Sequence, residues 1–210
     1  MKFAPEGYPF FAAFAGITAG AYLFGTVWLA GIPFFLFLFM LWFFRDPDRN
    51  APAGDDLFVA PADGKVIVIQ KIRENRYLNA DVMMVSIFMS PLNVHVNRVP
   101  CDGTVEKVQH NPGKFLKAFL PEAAIENENI AMVYATRMGR IVVTQVAGAV
   151  ARRCVCRVSE GAVLRKGERY GMIKFSSRVD LYLPPDTEIA VQLGQRVTAG
   201  ETVIGRSVPA

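Results

Sequence analysis

Charge is missing from the start of this chain: residues 7–44 contain no Asp, Glu, Lys or Arg, yet with Phe3 they hold eleven of the 16 Phe and both Trp. A stretch so long and so apolar does not suit a wholly soluble protein. Cysteine is scarce too. Cys101, Cys154 and Cys156 cannot all pair, and Cys-Val-Cys lacks the spacing and partners of a zinc site. They read as reduced, buried thiols of a cytosol-facing domain, and no metal is expected. Runs of basic residues are also absent. The net charge of +4 and the pI near 9.0 come from cations interleaved with acids, which argues against nucleic acid and suits a surface beside an anionic bilayer.

The uncharged stretch FFAAFAGITAGAYLFGTVWLAGIPFFLFLFMLWFF is too long for one perpendicular crossing, which takes about 20 residues. Gly25, Gly31 and Pro33 mark its middle. Two short helices, roughly 9–24 and 28–44, fit better as a membrane hairpin. Lys2, Arg45 and Arg49 flank it, placing both ends and the rest of the chain on the cytoplasmic side of the cell membrane. A cleaved signal peptide would end in small residues, whereas this stretch runs on through Phe, Leu and Trp. The expected organisation is a membrane-anchoring helical hairpin over 1–44, the polar linker RDPDRNAPAGDD over 45–56, and a β-rich domain over 57–210.

That domain offers short β-rich runs, KVIVIQK, VMMVSIFMS, GTVEKVQ, IAMVYAT, RIVVTQVAGAV, VDLYLP and EIAVQL, punctuated by Gly, Pro, Asn and Asp. Only residues 114–128, KFLKAFLPEAAIENE, look briefly helical, and Pro121 interrupts them. The fold class is therefore mainly β, a compact barrel or sandwich. APADGKVIVIQ and VQLGQRVTAGETVIGR both place Gly at tight turns between short strands, and resemble the half-repeats of barrel-sandwich hybrid domains.

Only two histidines are available for chemistry. His110 stands beside a Pro-Gly turn, while His95 lies in the alternating run SPLNVHVNRVPCDG. With Asp63 of PADG and Ser177 of KFSSRVD, His95 supplies the residue types of a nucleophile, base and orienter.

In order along the chain, the aromatic-rich start, FRDPDR, APADGKV, SPLNVHVNRVPCDG, NPGKF, ENE and KFSSRVDLYLP resemble the short form of the phosphatidylserine decarboxylase family. The resemblance implies a proenzyme that cuts itself before a serine and converts that serine into a pyruvoyl group. Here the cut falls between Ser176 and Ser177, giving a β chain of 1–176 and an α chain of 177–210. The implied reaction takes phosphatidylserine of an anionic membrane to phosphatidylethanolamine and CO2, through a Schiff base between the pyruvoyl carbonyl and the headgroup amine. His95, oriented by Asp63, is the expected base, and Arg98 the expected ligand of the phosphate or carboxylate. A homodimer is left open.

Two departures stand out. Longer members carry two histidines three apart, where this chain has His95 and then Arg98. The position before the reactive serine is Gly in the family motif and Ser176 here, a Cβ that costs about 1–2 kcal/mol if a left-handed backbone is needed. An uncleaved proenzyme is the expectation. The alternative is a non-enzymatic anchored module that binds or carries, with Lys65 or Lys166 as its attachment point.

Overall fold

The computed structural model describes residues 2–25, 27–120, 122–149, 153–174 and 177–208. Two compact units make up the chain, residues 1–48 and 49–210.

In the first unit, strand β1 (Lys2–Phe3) leads through a short 3-10 turn into helices α1 (Tyr8–Leu23) and α2 (Val27–Phe43), and strand β2 (Arg45–Asp46) follows. β1 and β2 pair antiparallel, and Lys2 Nζ meets Asp48 Oδ1 at 2.9 Å. The expected linker thus gives its first residues to a strand, because Lys2 and Phe3 offer them a ladder. The helices are joined by aromatic packing. Phe10 stacks on Phe44, and Phe11 meets Phe3, Phe37 and Phe44 edge-on. Gly25 lies in the turn, whereas Gly31 and Pro33 lie inside α2. At 16 and 17 residues the helices are about 25 Å long, short of the roughly 30 Å hydrocarbon core. No helix among the described residues is long and apolar enough to cross a membrane.

The second unit begins with β3 (Leu57–Val59), β4 (Gly64–Glu74), β5 (Ala80–Met89), β6 (Val96–Arg98) and β7 (Gly103–Asn111). After the single turn α3 (Ala123–Glu126) come β8 (Asn129–Thr136), β9 (Gly139–Ala147), β10 (Cys154–Cys156), β11 (Val163–Leu164) and β12 (Arg169–Ile173). β13 (Ser177–Leu183), β14 (Glu188–Ile189), β15 (Arg196–Val197) and β16 (Val203–Arg206) follow. With 42% strand and 20% helix among the described residues the chain is mainly β, and its largest sheet curls into a half-barrel. That sheet has the order β11-β7-β8-β9-β13-β5-β4-β15, beside three-stranded sheets β10-β12-β6 and β14-β16-β3. The helix expected over 114–128 shrinks to the four residues of α3, and Pro121 lies outside the described residues. The two Gly-turn segments do meet: β15 pairs with the start of β4, and Ala60 N donates to Thr202 O.

Local chemistry explains the long hairpin of β4 and β5. Buried Glu74 closes its turn by accepting from the backbone N–H groups of Arg76, Tyr77 and Leu78. Alternation then sorts side chains between the two faces of the sheet. From the central strand β13, Val179, Leu181 and Leu183 enter the large core with Val85, Ile87 and Met89 of β5. Tyr182 packs on the other face against Ala131, Val133 and Val142.

Candidate active site

Ser177 is the first residue of β13 and is fully buried. It pairs with Met89 on β5 and with Ala147 on β9, so the backbone that follows it is held from both sides. By alternation its side chain shares the core face with Val179, and its Oγ donates to Met89 Sδ at 3.4 Å. The same sulfur accepts from Asn97 Nδ2 at 3.7 Å, Asn97 Oδ1 accepts from Gln145 Nε2 at 2.8 Å, and that nitrogen also reaches Val155 O. A buried polar line therefore runs inward from Ser177. Gly171 makes room for it, since a Cβ there would lie 2.1 Å from Val155 O and 3.0 Å from Gln145 Nε2.

His95 enters the core just before β6 and is fully buried. Its carbonyl accepts from Ile173 N, which carries the β6–β12 pairing one residue further, so His95 and Asn97 occupy the same side of one extended run. His95 Nδ1 lies 2.9 Å from Asn93 O. A carbonyl can only accept, so in the neutral ring Nδ1 carries the proton and Nε2 the lone pair. Asn93 is itself fixed, taking hydrogen bonds from both Ser90 N and Ser90 Oγ.

Asp63 and Arg98 belong to a neighbouring junction of turns. Asp63 Oδ1 accepts from Ala199 N and Oδ2 from Arg49 Nη2, while Arg49 also reaches Glu201. Arg98 is 4% exposed, its Nη1 donating to Gly167 O and its N–H to Pro61 O. Ser177 and Asn97 thus meet at the Met89 sulfur, His95 stands two residues before Asn97, and the PADG turn is tied to the His95 strand through Arg98. Ser176 lies outside the described residues.

The sequence reading passed over Met89, Asn97 and Gln145, none of which carries a motif signal by itself. It also passed over Arg178 and Asp180, which point to the opposite face. There the Arg178 guanidinium bonds Asp180 and, through Nη2, Ser86 Oγ. Burial lifts the Asp180 carboxyl above its usual range, more than Arg178 lowers it. Arg178 also lines a cleft of about 450 Å³ with Met84, Phe119, Ile125 and Tyr182.

Comparison with known proteins identifies the family. The model of the phosphatidylserine decarboxylase family matches residues 36–205. A protein of Magnetococcus marinus named phosphatidylserine decarboxylase proenzyme is 46% identical over 97% of this chain and 94% of its own length. Proenzymes of the same name from Syntrophus aciditrophicus, 46% identical over 96% of each chain, and Geotalea daltonii, 47% identical over 98% of this chain and 96% of the relative, agree. The class is that of a decarboxylase of phospholipid biosynthesis. The chain belongs to the phosphatidylserine decarboxylase family, pyruvoyl-dependent enzymes that convert phosphatidylserine to phosphatidylethanolamine.

Proposed function

We propose that Ser177 is the residue that becomes the pyruvoyl group, through a cut between 176 and 177. The observation that carries this reading is the place of Ser177 at the head of the central strand. Residues 177–183 are bonded to β5 and β9 along their length, so a new terminus at 177 stays in the sheet after the cut. The surroundings of Ser177 suit a small ketone: they are buried, with Asn97 Nδ2 a neighbouring donor across Met89.

The processing chemistry uses this chain's own residues. Turning about Cα–Cβ releases the Ser177 hydroxyl from the Met89 sulfur, and Oγ attacks the carbonyl of residue 176. His95 Nε2 takes the hydroxyl proton, with Nδ1–H held on Asn93 O. The peptide nitrogen leaves the carbonyl as the ester forms. Loss of the Cα proton of 177 then expels the carboxylate of 176, and water converts the resulting dehydroalanine to pyruvoyl and ammonia. In this scheme the ring is oriented by Asn93 O, while Asp63, which accepts from Ala199 N and Arg49 Nη2, steadies the neighbouring turn that the Arg98 N to Pro61 O bond ties to the His95 strand. Once formed, the pyruvoyl group supplies an electron sink for the departure of CO2. His95 returns a proton to the substrate carbon, and further N–H groups of Arg98 meet the anionic headgroup.

The hairpin of α1 and α2 anchors the chain in the cytoplasmic leaflet. Trp28 is 97% exposed and Phe24 88%, which suits lipid and not water, and Arg45 packs over Trp42 at 4.0 Å as interfacial pairs do.

Chain masses and released CO2 for the given sequence, Ser176→Gly and Ser176→Gly/Ser177→Ala test the reading. Ser176→Gly is expected to cleave faster and to gain activity, and the double variant to stay whole and inactive. In the cleaving background, His95→Ala is expected to slow the cut by roughly 10²- to 10⁴-fold. Decarboxylation by a chain lacking Ser177 would overturn the assignment.

A further inference from the structure

Two loops stand at the end of the main sheet where β13 begins. One joins β5 to β6 across residues 90–95, and the other joins β7 to β8 across residues 112–128. Both place apolar side chains in the open: Leu92 is 66% exposed, Phe119 53% and Ile125 74%, with Phe115 beside them. These side chains do not hang from slack backbone. Asn127, 1% exposed, clasps the longer loop by donating to Leu116 O and Ala147 O and accepting from Leu116 N. Lys114 N donates to Glu126 O, and Glu128 N to Lys114 O. The approach at Gly113 is so close that a Cβ would lie 2.4 Å from Glu126 O. The Ser90–Asn93 hydrogen bonds brace the shorter loop in the same way. Phe119 leans edge-on against Phe88, one residue before the partner of Ser177.

An outward apolar rim on a braced frame is a surface awaiting a partner. We propose that Leu92, Phe115, Phe119 and Ile125 enter the bilayer that holds the substrate, so that the catalytic unit has a lipid contact of its own beside Ser177. The family's substrate is a diacyl lipid, whose headgroup must reach the buried end of β13 while its chains stay in hydrocarbon. A rim at that same end meets the chains where they leave the headgroup. Lys114 and Lys117 stand on the same loop as Glu122, Glu126 and Glu128, with Lys114 paired to Glu126, so the contact rests on the apolar side chains and not on net charge. The proposal rests on Ser177 as the reactive residue, but its first test needs no turnover.

Both native Trp lie in α2, so Trp28→Phe/Trp42→Phe in the full chain clears the background for a single reporter. Phe119→Trp is compared with Val163→Trp, a position 76% exposed at the far end of the β7 ladder. On vesicles of phosphatidylcholine and phosphatidylserine, emission from position 119 is expected to shift to the blue and to be quenched by acyl-brominated lipid, while position 163 stays water-like. An unquenched reporter at 119, or equal quenching at both sites, would overturn the proposal. So would self-association that Phe115→Ser/Phe119→Ser/Ile125→Ser abolishes while position 119 stays unquenched, because the rim would then belong to a second copy of the chain. In the cleaving Ser176→Gly background, that triple variant is expected to lose about tenfold in turnover of vesicle phosphatidylserine and under twofold with soluble short-chain phosphatidylserine. Equal losses on both would reduce the rim to a structural role. Failure of every form to release CO2 would count against Ser177 and leave the fluorescence result standing.

Discussion

Most large apolar side chains of the helices face out in residues 1–48, while those of the strands in residues 49–210 face in and only the loops show a few outside. Trp28, Phe24, Phe35 and Ile32 of the first unit are more than half exposed, while Tyr134, Met132, Ile141 and Leu181 of the second are sealed in the core. The hydrophobic effect accounts for the buried core of the second unit, and the lipid contact proposed above would account for the exposed surface of the first. Helices satisfy their own backbone hydrogen bonds and can carry an apolar exterior into lipid. The strands must pair, and they bury one face against the core. On the proposed reading, anchoring by the helices is separable by substitution from chemistry at Ser177.

The strongest way to break this contrast is to charge the outward surface. Phe35→Asp with Leu38→Asp changes two exposed positions of α2. Each Asp costs roughly 3 kcal/mol in a hydrocarbon environment, so the partition onto vesicles read by co-sedimentation is expected to fall by about ten-thousandfold. Full retention would mean that the hairpin does not face lipid.

Charge inside the second unit sharpens the contrast from the other side. Arg178 and Asp180 form an ion pair that is almost wholly shielded from water, with side chains 3% and 0% exposed. Arg178→Met leaves the buried Asp180 carboxyl without its counter-charge and is expected to cost about 3–5 kcal/mol in urea unfolding. The effect of pH has a definite sign. Burial raises the Asp180 carboxyl in the folded chain, so its stabilising contribution is complete below the ordinary aspartate value near 3.9 and is lost as pH rises through the folded value. Asp180→Asn removes that slope, and its unfolding midpoint is expected to vary less across the acidic range. An equal slope in both proteins would place the titration elsewhere.

How much of this was legible in the sequence follows from range. Uncharged length announces helices, and alternation in RIVVTQVA or VDLYL announces strands, since both are local signals. The two N-terminal helices emerged within a residue or two of their expected bounds. β2 did not, because its partner is Lys2–Phe3, more than forty positions away. The helix over 114–128 was overestimated because its composition favours one, while the clasp by Asn127 competes for the backbone groups of Leu116. Within the site, Ser177 and His95 stood out by residue type and motif. Asn97 and Gln145 are ordinary polar residues in β runs, and only the pairing of β6 with β12 and the folding of β9 beneath it join them to Met89. The tie from Asp63 to Ala199 is likewise a matter of turns brought together across the whole unit.

The smallest expected effect reads the inward unit alone, because Cys101, Cys154 and Cys156 all lie in residues 49–210. Burial pushes the Cys101 thiol up to about 12, with the Asp102 carboxylate adding to the rise and Lys166 opposing it. Burial raises Cys154 above the ordinary thiol range as well, helped by Glu128, and raises Cys156. Because the thiolate is the nucleophile, iodoacetamide at pH 8 is expected to label the native chain at least about tenfold more slowly than the chain in urea, where thiols titrate near 8.5. The stabilising share of Cys101 is complete below that unfolded value and is lost as pH rises through about 12. Labelling should therefore accelerate with pH more steeply in the folded protein than thiolate formation in a free cysteine would allow, as ionisation begins to open the core. Native labelling at the unfolded rate would show that the core of the second unit admits solvent, and the contrast between an outward and an inward apolar surface would then fail in the unit that carries Ser177.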